Sequence, residues 1–372
     1  MLCLKSITIR QIEPKLKKPF KTANDTIDIK KTLLLESNAE DVKLYSECVA
    51  LPFIGYTSEN IETARHCLVK KLIPNILNKE FDHPNEVSVF LDTIIKDNQM
   101  AKAAIEMLYW QLASIQAKKS LAQFIGGTQK KVAVGLAIGI QENNNDTLEK
   151  IKAALEKGYQ KIKLKFGPTS NLNLIQAIRT EFGNNCNLMI DANRSFNPND
   201  IALLKTLDSY NLTMIEQPFD KNKFQDHANL QKQLNTSICL DESIESLKDA
   251  QHMIKTNAGR IINIKPGRVG GFATALSIHD LCKRNNIPVW CGGMLETGIG
   301  RAYNIALASL DNFNLPGDLA PSAHYWEQDL VIPEWEMNQD GTITVPFNKI
   351  GLGVEINEEL LKKLTKEKLT LI

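Results

Sequence analysis

Short apolar runs that end in an ionisable side chain recur through the middle of the chain. Lys163-Leu164-Lys165 closes one run, and Asp191 follows Leu188-Met189-Ile190. Glu216 follows Met214-Ile215, Asp241 follows Ile238-Cys239-Leu240, and Lys265 follows Ile261-Ile262-Asn263-Ile264. Counted from Lys165, the intervals are 24 to 26 residues, which is the length of a strand, a crossover helix and two loops. The pattern predicts successive parallel strands, each carrying a charged group at its carboxyl end. In a (β/α) barrel that end is where the chemistry is built.

The flanking patterns differ. Ile7-Thr8-Ile9 and Lys31 to Glu36 read as strands around a loop near Pro19-Phe20-Lys21-Thr22. Helical periodicity begins at Ser58, where Ser58 to Glu62 resembles a capped start. A helix from Asn98 to Lys118 places Met100, Ala103, Ala104, Met107, Leu108 and Leu112 at three- and four-residue spacing. An α+β unit therefore precedes the barrel. Gly126-Gly127 marks the junction, and Val132 to Ile140 reads as the first barrel strand. Asp146 to Glu149 fits a capping box for a helix that shows Leu148, Ile151 and Leu155 on one face and closes at Gly158. Gly270-Gly271 opens a helix toward Asn285, Ile287 to Trp290 enters strand seven, and Gly292 to Glu296 forms its exit. Phe313 to Asp318 stands where an eighth strand belongs, but Pro316 and Gly317 predict a short or irregular one. From about residue 330 the chain returns to the first unit through Gly351 to Val354 and a charged terminal helix.

Composition narrows the function class. At 372 residues, one large barrel with a smaller unit is the expected organisation. The formal net charge is +1 with lysines scattered among acids, which gives no electrostatic reason to expect nucleic acid or an anionic membrane as partner. No apolar run approaches a membrane span and the start lacks a secretory pattern, so a soluble, cytoplasmic protein is expected. Seven cysteines without CxxC spacing argue against both a disulfide framework and a structural zinc site.

Asp191, Glu216 and Asp241, at one rim from three adjacent strands, can supply oxygen ligands to a hard divalent cation, Mg²⁺ or in its place Mn²⁺. Any one of them alone would read as a helix cap or a surface pair. Lys163 and Lys165 alternate in a strand and share a face. Beside each other and a dication, each is expected to have a lowered pKa. Lys265 approaches from the other side, so Lys165 and Lys265 would flank a small-molecule carboxylate and move the proton α to it, with Lys163 as an electrostatic neighbour. Asn193 would donate to substrate or a metal-bound water, or else fix its loop. The six histidines show no ligand spacing, and His279-Asp280 reads as a surface pair.

These motifs resemble the enolase superfamily, in its muconate-cycloisomerase-like branch. The resemblance spans nearly the whole chain. It is carried by Ile162 to Lys165, Asp191-Ala192-Asn193, Ile215 to Pro218, Leu240 to Ser243, Asn263 to Gly271 and Gly292 to Ala302. Within the branch these stretches are similar to those of o-succinylbenzoate synthases and N-succinylamino acid racemases. The resemblance implies an α/β fold, a (β/α)7β modified TIM barrel (129–328) with an α+β capping domain formed by residues 1–128 and the C-terminal tail (329–372). It implies Asp191, Glu216 and Asp241 as Mg²⁺ ligands and Lys165 and Lys265 as the catalytic pair. The activity implied is syn-dehydration of 2-succinyl-6-hydroxy-2,4-cyclohexadiene-1-carboxylate through a metal-stabilised enediolate in menaquinone biosynthesis, with N-succinylamino acid racemisation as the alternative. A Schiff-base lyase and a non-catalytic binding barrel are the remaining alternatives. Arg268 matches an arginine of the racemase-capable branch, and Phe20, Tyr56 and Met294 fall in stretches expected to touch substrate. Relatives self-associate, so a homo-oligomer is expected. Two departures stand out: Ala137 where relatives commonly carry serine, and Gly317-Asp318-Leu319-Ala320 without the Asp-x-Asp of dipeptide epimerases.

Overall fold

A computed structural model describes residues 1–21, 26–39 and 42–372. An antiparallel sheet holds the strands Thr365–Leu371, Ile7–Ile12, Thr32–Ala39 and Val42–Cys48 in that order. Alternation in the second of these buries Ile7 and Ile9. The stretch expected as a loop around Pro19 is instead the strand Lys15–Lys21, paired with Thr26–Ile29, and Thr22 lies outside the described residues. The charged C-terminal stretch divides into a helix, Glu358–Leu364, and the edge strand that pairs with Ile7–Ile12. Lys and Glu alternating along that strand hid it from a hydrophobicity pattern.

The helix Gln99–Gln116 follows Asn98, which takes a left-handed backbone (φ 58°). Its apolar positions are buried as expected, but so is the opposite side. Met100, Ala104 and Leu108 pack into the cluster under the antiparallel sheet, and Ala103, Met107 and Trp110 join the barrel's core. A helix covered on both sides is buried all round. The helix Ile61–Cys67 is capped by Asn60 with Thr63, not by Ser58.

The barrel is a parallel sheet of seven strands that we label β1 (Gly135–Ile138), β2 (Lys161–Lys165), β3 (Leu188–Asp191), β4 (Ile215–Glu216), β5 (Ile238–Leu240), β6 (Ile261–Ile264) and β7 (Val289–Cys291), hydrogen-bonded in chain order. Val132 to Ile140 is not one strand. Lys131–Ala133 pairs with Thr342–Thr344, and the chain joins the barrel only at β1. The first barrel helix, Asn144–Glu156, is capped three residues earlier than expected, by Asn143, whose side chain accepts from the Asp146 N–H. The eighth position holds an irregular segment that still closes the ring. Gly135 N donates to Gly317 O at 2.7 Å, Gly317 N to Ala133 O at 3.0 Å, and Asp318 N to Cys291 O at 2.9 Å. A Cβ at Gly317 would lie 2.9 Å from the Cys291 carbonyl oxygen, so close strand approach explains the glycine. Met189, Met214, Cys239, Ile261 and Trp290 fill the barrel interior. His279 is not at the surface: it is 3% exposed and stacks on Phe313 with ring centroids 5.7 Å apart.

Candidate active site

Parallel register brings the charged strand ends together. Lys165 pairs with Asp191 across β2 and β3, and Asp191 with Glu216 across β3 and β4. Lys163 Nζ stands 3.0 Å from Asp191 Oδ2 and 2.8 Å from Glu216 Oε2. Lys165 Nζ donates to Asp191 Oδ2 at 2.7 Å and to Asn193 Oδ1 at 2.6 Å. From the opposite wall, on the residue after β6, Lys265 Nζ donates to Asp241 Oδ2 at 2.9 Å and to the Tyr56 hydroxyl at 3.0 Å. Tyr56 belongs to the N-terminal region and donates to Asp241 Oδ1 at 3.0 Å, so the barrel site is completed by the other unit.

Asn193 has a left-handed backbone (φ 42°). Its own N–H bonds Asp191 Oδ1 and its amide reaches Glu242, so it fixes both its loop and Lys165. Arg268 is fully buried behind the site. It contacts Asp241 Oδ1 and donates to Tyr56, to Ile244 O at 2.7 Å and to Asn263 O at 2.6 Å. It holds Asp241 in place and does not line the cavity.

That cavity encloses about 180 Å³. Phe20, Tyr56, Met294 and Ala137 are on its wall, together with Lys163, Lys165, Lys265, Asp191 and Asn193. Glu242, Arg301, Asp318 and Tyr325 also line it, and the sequence reading had missed all four. Asp318 Oδ2 accepts from Lys163 at 3.1 Å, and its Oδ1 lies 3.3 Å from Lys161 Nζ. Lys161 is 1% exposed, with Nζ 3.6 Å above the Trp290 ring. Period-two alternation already placed Lys161 on the face of Lys163 and Lys165, and that signal could have found it.

Charge burial sets the protonation balance. Burial lifts the Glu216 carboxyl to about 8, reinforced by the Asp191 carboxylate. Burial also opposes ionisation of Asp191 and Asp241, but Lys163 and Lys165 hold the first below its ordinary value, and Lys265 and Arg268 the second. The lowered pKa expected of Lys163 belongs to a lysine beside a bound dication. Among the protein's own groups burial also lowers it, yet the fields of Asp191, Asp318 and Glu216 outweigh burial and raise the pKa well above the ordinary lysine value. The acids around Lys163 dominate over neighbouring ammonium groups. Lys265 is raised likewise, Asp241 and Tyr56 overcoming the cost of burial.

Among the described residues, no group of three or more acidic, histidine or cysteine side chains stands ready as a metal site, because lysine ammonium groups sit between the carboxylates. The donor set nevertheless fits a hard cation. Glu216 is fully buried, and its Oε2 has no hydrogen-bond partner among the described residues despite the nearby Lys163. A buried carboxyl oxygen left without a partner is costly, and an oxygen-seeking dication would displace the proton that burial favours and satisfy it.

A closed parallel barrel with acids and lysines converging at its carboxyl-end mouth, roofed by a second α+β unit, defines a barrel enzyme of the enolase type. The chain belongs to the mandelate racemase / muconate lactonizing enzyme family: the model of its N-terminal domain matches residues 5–126 and the enolase C-terminal domain-like model matches residues 146–360. Members of the enolase superfamily generally use Mg²⁺. An o-succinylbenzoate synthase of Bacillus subtilis is 44% identical over 98% of this chain and 97% of its own length. An N-succinylamino acid racemase of Amycolatopsis is 38% identical over 98% of both. The crystal structure of an enolase-superfamily member from Listeria innocua superposes with a TM-score of 0.95 at 39% identity, covering both chains entirely.

Proposed function

We propose that this protein is a Mg²⁺-dependent o-succinylbenzoate synthase that dehydrates 2-succinyl-6-hydroxy-2,4-cyclohexadiene-1-carboxylate. The observation that carries the reading is the placement of Lys165 and Lys265. They stand at the ends of β2 and β6, opposite positions in an eight-membered ring, and both line one cavity. Asp191, Glu216 and Asp241 would hold the cation, which when bound supplies Lewis acidity toward the substrate carboxylate and takes up acid charge now paired with lysines. Lys165, as the free amine, removes the proton α to the carboxylate, and the C–H electrons pass into an enediolate. The same ammonium then returns its proton to the departing hydroxyl on that face; the C–O bond breaks, the ring aromatises and water leaves. Lys265, which stands on the opposite wall and donates to Asp241, stabilises the enediolate from the opposite face as its ammonium form. Lys163 supplies positive charge behind Lys165, and Asn193 orients the Lys165 amine.

N-succinylamino acid racemisation is the second reading, favoured by a lysine on each face: one would deprotonate and the other reprotonate. The racemase relative from Amycolatopsis supports it. In this reading of the chain, residues 1–128 and 329–372 form the capping unit and 129–328 the catalytic barrel. The test is the ultraviolet change on aromatisation of the cyclohexadiene carboxylate, with Mg²⁺ and after EDTA, alongside α-deuterium incorporation into N-succinylamino acids in D₂O. Metal-dependent aromatisation is expected; wash-in of deuterium without aromatisation would move the assignment to the racemase.

A further inference from the structure

Arg301 is the fourth residue of the helix Gly298–Ala308 and is 1% exposed, yet its partners are incomplete. Nη2 reaches only the Glu296 carbonyl oxygen, at 3.5 Å, and stands 3.9 Å from Glu296 Oε2. Nη1 has no hydrogen-bond partner among the described residues. A guanidinium offers five donors in a rigid fork and stays charged, so a buried one left unsaturated is costly.

Two of the three nearby acids are committed elsewhere, while Glu296 leaves Oε2 without a hydrogen-bond partner among the described residues, too far from Nη2 to saturate it. Glu47 accepts from the Thr297 N–H and hydroxyl and from Gly300 N. Asp329 accepts from Gly298 N and Ser322 Oγ, and Glu296 Oε1 accepts from Asn304 Nδ2 at 2.9 Å. Glu47 and Asp329 satisfy a helix N-terminus, the end at which a cation such as Arg301 is least favoured. Arg301 is therefore a buried cation in an unfavourable place with donors to spare, and it lines the same cavity as Lys165 and Lys265. The Tyr325 ring lies 5.5 Å from its guanidinium carbon, and Phe20, Phe53 and Leu295 make that part of the cavity wall apolar.

We infer that Arg301 receives a second carboxylate of the substrate, distal to the one that lies between the lysines, so that the site selects dicarboxylates with a short apolar spacer. The inference rests on the function proposed above, whose substrates carry a succinyl group, and adds the residue that reads the far end of that group. A planar fork that matches a carboxylate with two parallel hydrogen bonds explains arginine in place of lysine.

Binding separates this inference from the activity it rests on. Calorimetric titration with Mg²⁺ present would compare o-succinylbenzoate with 2-butanoylbenzoate, in which a methyl group replaces the distal carboxylate, in wild type, Arg301→Lys and Arg301→Met. Wild type is expected to favour the dicarboxylate by about tenfold or more. Arg301→Met should bring the ratio close to one while leaving the 2-butanoylbenzoate Kd unchanged, and Arg301→Lys should keep part of the preference. A wild type without preference, or an unchanged ratio in Arg301→Met, overturns the inference; should Arg301→Met fail to fold, an unchanged ratio in Arg301→Lys does so. Selective binding without turnover of the cyclohexadiene carboxylate would overturn the synthase reading and leave the role of Arg301 standing.

Discussion

Lys163 Nζ stands 2.8 Å from Glu216 Oε2, and both side chains are buried. One ammonium group thus serves three acids, Asp191, Glu216 and Asp318, and Glu216 Oε2 has no hydrogen-bond partner among the described residues. Mg²⁺ binding to the native state alone should stabilise it. At about a hundred times its Kd, Mg²⁺ is expected to raise Tm by about 5 °C, reversibly with EDTA. Glu216→Gln should abolish the shift, as read by differential scanning fluorimetry. An equal shift in the variant would place the cation elsewhere.

Asp318 joins Lys163 to Lys161, which is buried against Trp290. Burial opposes ionisation of Asp318, but the two lysines lower its carboxyl to about 2. Asp318→Asn leaves those ammonium groups buried with one carboxylate fewer, and should cost about 3–5 kcal/mol in urea denaturation. Adding Lys161→Met should recover part of that loss, because the two residues share one interaction. Strict additivity would show that they are not coupled.

Glu106, on the long helix of the N-terminal unit, accepts the backbone N–H groups of Phe272 and Ala273 at 2.8 Å each and Trp110 Nε1 at 2.6 Å. It caps a barrel helix from outside the barrel. Burial lifts its carboxyl from 4.5 to about 7, against the pull of those donors. Between these values the native state holds the proton that the unfolded chain has released, so this group's contribution to stability falls as pH rises through that window. Glu106→Gln, which mismatches an amide NH₂ against the donors, should cost about 1–3 kcal/mol. Its deficit relative to wild type should be larger at pH 5 than at pH 7.5, and a pH-independent deficit would exclude the titration.

The central chemistry was legible in the sequence because strand ends are local: an apolar run followed by an acid or lysine marks β2 to β6 without knowledge of the rest. What closes the site was not. Arg301 and Tyr325 line the cavity, and a single arginine or tyrosine in a helix carries no periodic signal; Tyr56, from the other unit, was expected near substrate through the family resemblance alone. Asp318 stood in a segment that read only as a short or irregular strand, with no sign of its side chain at the site; the ring closes there through backbone bonds to Gly135 and Cys291. The terminal strand was missed because an edge strand faced with Lys and Glu looks like a charged helix.

The most direct test compares turnover of the cyclohexadiene carboxylate by wild type, Lys165→Ala and Lys265→Ala, each loaded with Mg²⁺ and shown to be folded. If the two lysines face each other across one substrate, each variant should lose about a thousandfold or more in kcat, the scale of positioned acid–base and electrostatic catalysis. Near wild-type turnover in either variant would contradict the account.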